Sequence, residues 1–535
     1  MPERYDLIIR NGRIIDGTGN PYFTADIGIV GEEIAAISLI GDEMKADRVL
    51  DATGMIVSPG FIDTHSHDDA YIFIDPRCSQ KVRQGVTTDV IGNCGFSMAP
   101  LSDEHCNDLK ALTAIMGGDR LGDDFWSIRS FAQFLAKLDT AKPGINMVPL
   151  VGHGAIRIAV IGFENRAPSE SEMVKMKAIT EEAMQAGAFG LSSGLIYVPA
   201  NYAETDEIIE LAGVAAKYGG IYATHMRSES NHELEAIQET LKIAREANIA
   251  AHISHHKIIG QKNWGNSKLT LKAFSDARAK GLKVTWDQYP YRAGSTFLAA
   301  ALPPHIQAQG VKSLSEKLKA PAVRSKIRQE IECREDSPWE NIIKDAGFDN
   351  IIISASPRNE DFIGKSIAVI AEMTTKDPFD VYFDLIIEEQ MEATMIIFGM
   401  DDRDIERILK ASDTMIGSDG IPGFGSAKIH PRMTGTFPRI LGCYVRERGI
   451  ITLQDAIRKM TSLPAQTFGL FKKGLLRQGM DADLVIFNQD TIIDKSTFED
   501  PLQPPEGIHW VIVNGQIAVE EGKITGTASG KVLRR

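Results

Sequence analysis

Phe61-Ile62-Asp63-Thr64-His65-Ser66-His67-Asp68 stands where the sequence changes character. Before it, short strand-like runs are separated by turns; after it, short β-branched runs alternate with long helical patterns. The stretch itself is an apolar lead-in to two histidines two residues apart. On an extended strand the side chains at i and i+2 share a face, so His65 and His67 can reach one point, as metal ligands must. Alone, a His-x-His is more often a partly solvated strand end. The rest of the chain decides.

Downstream, strand patterns fall at 61–67, 87–93, 146–152, 188–193, 221–225, 250–255, 283–289 and 413–419. Helical patterns at 170–186, 204–218, 229–246 and 267–280 lie between them. Eight strands with intervening helices predict an α/β fold, a (β/α)8 TIM-like barrel over 61–475. The rival, a doubly wound open sheet, opens with a Gly-rich phosphate turn that is absent after this first strand. The interval between the seventh and eighth strands is long and carries a charged helical segment at 311–332. Residues 297–349 are therefore expected to form an inserted subdomain or lid. Upstream, the runs 5–10 and 13–16 flank Asn11-Gly12, a hairpin signal. The C-terminus repeats the pattern with 482–487, 510–513, Asn514-Gly515 and 516–519. Neither end has enough strands for a stable sheet. Residues 1–60 and 476–535 are thus expected to pair into one small β-sandwich domain.

At 535 residues the chain exceeds one ordinary compact domain, which suits a large domain with appendages. A net charge of -14 argues against a nucleic-acid or anionic-membrane partner and does not itself identify one; the small-molecule partner is implied by the resemblance given below. No apolar run is long enough to span a bilayer. The start, Met1-Pro2-Glu3-Arg4-Tyr5-Asp6, lacks the basic and apolar regions of a secretory signal. The cysteines (Cys78, Cys94, Cys106, Cys333, Cys443) are odd in number and scattered, so a disulfide framework is not expected and a reducing cytoplasm is. The pattern sets no oligomeric state.

In a barrel of this type, reactive groups sit at the C-terminal ends of the strands. Those ends carry His65 and His67, Cys94, His153, Ser192-Ser193, His225, His255, Asp287 and Asp419. An isolated cysteine is usually buried and inert. With two histidines in reach, Cys94 in Gly92-Asn93-Cys94-Gly95 reads as a thiolate ligand, a set that suits zinc. His255 competes with His252 and His256, whose places in the strand alternation aim them elsewhere. His153 reads equally as a loop or a substrate-contacting residue. Asp419, in Gly417-Ser418-Asp419-Gly420, is either a turn aspartate or a carboxylate that relays a proton from water to a leaving group. The histidines tip that balance toward catalysis.

Together these residues resemble the amidohydrolase superfamily. Its opening signature is matched by Val57-Ser58-Pro59-Gly60-Phe61-Ile62-Asp63-Thr64-His65-Ser66-His67, its closing one by Gly479-Met480-Asp481-Ala482-Asp483-Leu484-Val485. Within it the chain is most similar to the D-aminoacylases, the N-acyl-D-amino-acid deacylases. The marks are Gly92-Asn93-Cys94-Gly95, Ser192-Ser193-Gly194-Leu195-Ile196-Tyr197 and Thr224-His225-Met226-Arg227. Ser254-His255-His256-Lys257, Tyr289-Pro290-Tyr291, Gly417-Ser418-Asp419-Gly420 and His430-Pro431-Arg432 continue the series. The resemblance implies a tight zinc on Cys94, His225 and His255. A weaker second position would be bordered by His65, His67 and Asp419. Many relatives bridge two metals with a carboxylated lysine on the fourth strand, where this chain has none. Cys94 is a chemically sensible substitute, and Lys257 a less favoured carbamate candidate. On the substrate side, Arg432 can bind a free carboxylate bidentately. The resemblance adds Tyr289 and Ser295 to that clamp, with Lys257 and Tyr197 nearby. The implied activity is zinc-dependent hydrolysis of N-acyl-D-amino acids by Asp419, the D preference resting on resemblance alone. The rival readings are a cyclic-amide hydrolase or deaminase on the same scaffold, or an inactive scaffold protein.

Overall fold

The structure is a computed structural model describing residues 4–41, 44–308, 310–333 and 337–535. Met1, Pro2 and Glu3, part of the leader reading, lie outside the described residues, as do 334–336 within the expected insertion. Its centre is a ring of parallel strands in chain order. They are Phe61–Asp63, Val86–Ile91, Asn146–Pro149 continued by Val151–Gly152, Gly190–Gly194, Ile221–His225, Ala250–Ile253, Val284–Gln288 and Thr414–Ile416. The first three form one ladder and the rest, from Val151–Gly152, another. The arcs meet where the Phe189 amide, entering the fourth strand, donates to the Pro149 carbonyl of the third. They close at a parallel bridge between Ser66 and Gly420, beside the Asp419 amide donating to the His65 carbonyl. Strands such as Val86–Ile91 are buried along their whole length, as parallel strands under helices must be.

The first strand is shorter than its sequence pattern. After Asp63 the chain leaves the ladder, which frees His65 and His67 to turn inward. Outside the ring, helix Glu170–Ala186 matches its expected span, opened by a reciprocal capping box between Ser169 and Glu172. Helices Thr205–Lys217 and Ser267–Ala279 follow their patterns within a residue. The helix expected from 229 begins only at Glu233, and runs to Glu246.

Both chain ends contribute to one nine-stranded sheet. Ile56–Pro59 from the N-terminal part pairs antiparallel with Leu484–Phe487 from the C-terminal part. Ile9, Ile27, Leu484, Ile486 and Ile512 pack together on it. Asn514-Gly515 makes the expected tight turn, with φ of 45° and 78°, between Ile508–Val513 and Gln516–Glu520. Asn11-Gly12 does not. Strand Arg4–Ile14 runs straight through it, with Asn11 at φ 63° and a register shift against Phe23–Val30. The strand there exchanges its parallel neighbour Lys45–Asp51 for Ile56–Pro59. Asn-Gly tolerates positive φ in a bulge as readily as in a turn, so the dipeptide alone does not tell the two apart.

The insertion carries its own antiparallel sheet of Ala293–Phe297, Thr394–Phe398 and Ile351–Ala355. Leu298, Leu314, Ile327, Ile353, Tyr382 and Met395 pack in a separate core beneath it. The inserted body therefore reaches beyond the expected end at 349, because two of its strands come later in the chain. No described helix is long and apolar enough to cross a membrane.

Candidate metal centre and substrate cavity

Cys94 follows the second barrel strand in a short turn, Asn93–Gly95, with its own φ at 52°. A side chain at Gly92 would meet the Leu150 carbonyl at 2.0 Å, so the turn needs that glycine. Ser192 Oγ accepts from the Gly95 amide at 3.0 Å and donates to the Gly92 carbonyl, clamping the turn from the fourth strand. The Cys94 Sγ then lies 3.3 Å from His65 Nε2, 3.5 Å from His255 Nε2 and 3.8 Å from His225 Nδ1. Tetrahedral zinc holds nitrogen and sulfur ligands about 3.5 Å from one another, so this donor set fits the ion. His65 is shared with a second group, His65, His67 and Asp419. Asp419 Oδ1 is 3.2 Å from His67 Nε2 and 3.6 Å from His65 Nε2.

Protonation follows from burial. Desolvation pushes the His65 and His225 imidazoles well below their ordinary value, leaving neutral rings with lone pairs to offer. Burial pushes the Cys94 thiol up, and a bound cation is what reverses that in a ligand thiolate. Burial would also raise Asp419, but the Arg432 guanidinium and the neighbouring histidines hold its carboxyl well below the carboxylate range.

Arg432 opens helix Arg432–Arg439 and is fully buried. Its Nη1 lies 2.8 Å from Asp419 Oδ2, and its Nη2 donates to the Ser295 carbonyl at 3.1 Å. The guanidinium sits 4.6 Å over the Tyr289 ring. Arg432 Nε and Tyr289 Oη are buried without a hydrogen-bond partner among the described residues, a pair of donors without an acceptor. Tyr197 packs edge-on to His225 at 5.0 Å and accepts a hydrogen bond from Thr296 at 3.2 Å. A cavity of about 620 Å³ opens beside Ser295, Phe297, Val198 and His430.

Residues 48–519 match the model of the amidohydrolase family. The chain belongs to that family. It is 38% identical over 531 residues to the D-aminoacylase of Alcaligenes xylosoxydans xylosoxydans, covering 99% of this chain and 98% of that protein. It is 37% identical to the N-acyl-D-glutamate deacylase of the same organism, covering 100% of this chain and 98% of that protein. The crystal structure of N-acyl-D-glutamate deacylase from Bordetella bronchiseptica, complexed with zinc and a phosphonate mimic of the tetrahedral intermediate, is similar at a TM-score of 0.84. That protein is 34% identical, with 100% of each chain covered.

This amidohydrolase spends its other strand-end residues on support. Asp287 accepts the His255 amide at 2.6 Å on one oxygen, while the other meets His252 at 2.7 Å and Thr64 at 3.0 Å. His252 is thus occupied, and His256 turns away to Thr270 at 2.9 Å. His153 is outside the cluster, 2.8 Å from Glu207. One residue at the centre was not expected from the sequence. Glu229 lies 2.9 Å from His255 Nδ1 and 3.4 Å from His225 Nε2, with Lys257 Nζ 2.7 Å from each of its oxygens. Burial alone would raise its carboxyl, but Lys257 and the two histidines hold it far below the usual range. No local spacing marks it, because residues i and i+4 share a face only on a helix, and His225 ends a strand while the next helix begins at Glu233.

Proposed function

We propose that this chain hydrolyses the amide bond of N-acyl-D-amino acids, releasing a carboxylate and a free D-amino acid. We read 61–475 as the catalytic barrel and 1–60 with 476–535 as the β domain, in a protein of the reducing cytoplasm. The observation that carries the reading is a convergent Cys/His donor set beside an ionised Asp419, itself 2.8 Å from a buried arginine. Cys94, His225 and His255 would hold a tight zinc, and His65, His67 and Asp419 would border a weaker position. Zinc held there would supply Lewis acidity, polarising the scissile carbonyl and lowering the pKa of the attacking water. Asp419 takes the proton of the attacking water and passes it to the departing amine. Arg432 Nε, Tyr289 Oη and Ser295 face the substrate α-carboxylate, with Lys257 adding positive charge nearby. Tyr197 and His67 stand where an oxyanion donor is needed. The D preference is supported by relatives named for D-configured substrates.

The test is a panel of N-acetyl-D- and N-acetyl-L-amino acids, with zinc content measured on the same sample. Hydrolysis confined to the D series, lost on chelation and restored by zinc, is expected. No turnover by zinc-replete protein, or an L preference, would overturn the reading. A substrate without a free carboxylate hydrolysed equally well would move it toward the cyclic-amide class.

A further inference from the structure

We propose that Glu229 is a positioning residue whose one carboxylate decides which nitrogen His225 and His255 each present to the metal. The inference rests on the zinc site assigned above. A histidine binds metal through an unprotonated ring nitrogen, so its other nitrogen carries the proton and needs an acceptor. The two rings here use opposite atoms. His255 turns Nε2 toward Cys94 Sγ and Nδ1 toward Glu229 Oε1, at 2.9 Å. His225 turns Nδ1 toward Cys94 Sγ and Nε2 toward Glu229 Oε2, at 3.4 Å. Glu229 faces both rings from the side away from the sulfur: it is the hydrogen-bond acceptor of His255, and its other oxygen is the carboxylate atom beside a His225 Nε2 that has no hydrogen-bond partner among the described residues.

Lys257 sharpens the point. Its Nζ is 2.7 Å from His255 Nδ1 as well as from both Glu229 oxygens. An ammonium donating to Nδ1 would drive the ring proton onto Nε2 and remove His255 as a ligand. A carboxylate between them accepts from both the ammonium and the imidazole, which resolves the conflict in favour of the metal-binding tautomer. The Glu229 backbone is pinned accordingly. Its amide donates to Glu340 Oε2 of the insertion at 2.6 Å, and its carbonyl accepts from the Ile259 amide at 2.9 Å.

The bland alternative is that Glu229 is only the counter-ion of buried Lys257. Two full-length variants separate these roles. Lys257→Met keeps the carboxylate, and Glu229→Gln/Lys257→Met removes both charges together, so neither leaves a lone buried ammonium. A glutamine amide can accept from only one of the two rings. Zinc dissociation constants are measured by chelator competition, with thermal unfolding of the metal-free proteins as a check on folding. The double variant should bind zinc about 10–100-fold more weakly than Lys257→Met, with similar metal-free unfolding midpoints. Equal zinc affinity in the two variants overturns the role of Glu229 and leaves the zinc site standing. Wild-type affinity that Cys94→Ala does not change overturns the site, and the proposal with it.

Discussion

Three side chains at the centre sit in the left-handed backbone region: Cys94 at φ 52°, His255 at 39° and Asp419 at 49°. Each such non-glycine position costs on the order of 1–3 kcal/mol, and the closed barrel with its clamps at Ser192 and Asp287 holds them there. Residue types at strand ends were legible in the sequence; these conformations were not, because positive φ in a non-glycine residue leaves no pattern. Asp419→Asn should keep the backbone, since asparagine tolerates this region, and should keep the tight zinc. It removes the proton acceptor, so kcat should fall about 10²–10⁴-fold. Steady-state kinetics with zinc stoichiometry on the same protein checks both. Near-normal kcat would exclude Asp419 as the proton carrier. Cys94→Ala should instead lose zinc and activity together; a full zinc complement in that variant would remove the thiolate from the ligand set.

At the scale of elements, the informative departure is the late start of helix Glu233–Glu246. The helical periodicity runs back to Glu229, but tertiary contacts hold 228–232 as a loop. One face of that loop meets the histidines, and the insertion holds the other. His232 Nε2 lies 2.9 Å from the Ser337 carbonyl, and Glu340 takes the Glu229 amide. Local pattern cannot reveal such a loop, because its partners are about a hundred residues away. Burial, with the nearby Glu229 charge, pushes the Glu340 carboxyl up to about 8 from 4.5; Lys257 opposes this and Asp345 adds to it. A folded-state value raised above the unfolded one makes its stabilisation complete below about pH 4.5. That contribution is lost as pH rises through 8. Glu340→Gln keeps an acceptor for the Glu229 amide and has nothing to titrate. The unfolding temperature of the wild type should therefore fall more steeply than that of the variant between pH 5 and 8. Parallel curves would show that Glu340 does not titrate in this window.

On the scale of the whole molecule, the alternation of strands and helices made the barrel legible, and the short strands at both ends made their common sheet legible. The cavity beside Ser295 and His430 was not, because its walls come from parts distant in sequence. Leu112 and Ile115 follow the second barrel strand, Ile421 and Ile429 the eighth, and Phe297 belongs to the insertion. Of its charged lining groups, Lys110 and Glu392 have ion-pair partners. Lys110 pairs with Asp123 at 3.6 Å, and Arg120 is exposed with its guanidinium 4.2 Å over Phe424. A space of about 620 Å³ is of the size that encloses a drug-sized ligand, far more than an acetyl group fills. If the carboxylate is anchored at Arg432, the remaining apolar substituent of the substrate extends into this space. Lengthening the N-acyl chain of one D-amino acid should then raise kcat/KM by up to about fourfold per methylene, the factor for burying one CH2. The rise should stop when the cavity is full. Ile115→Trp narrows the far wall without touching the metal centre, so it should flatten the chain-length series while leaving N-acetyl turnover unchanged. A flat series in the wild type, or one in which acidic amino-acid side chains outpace long acyl chains, would mean that the cavity does not receive the acyl group.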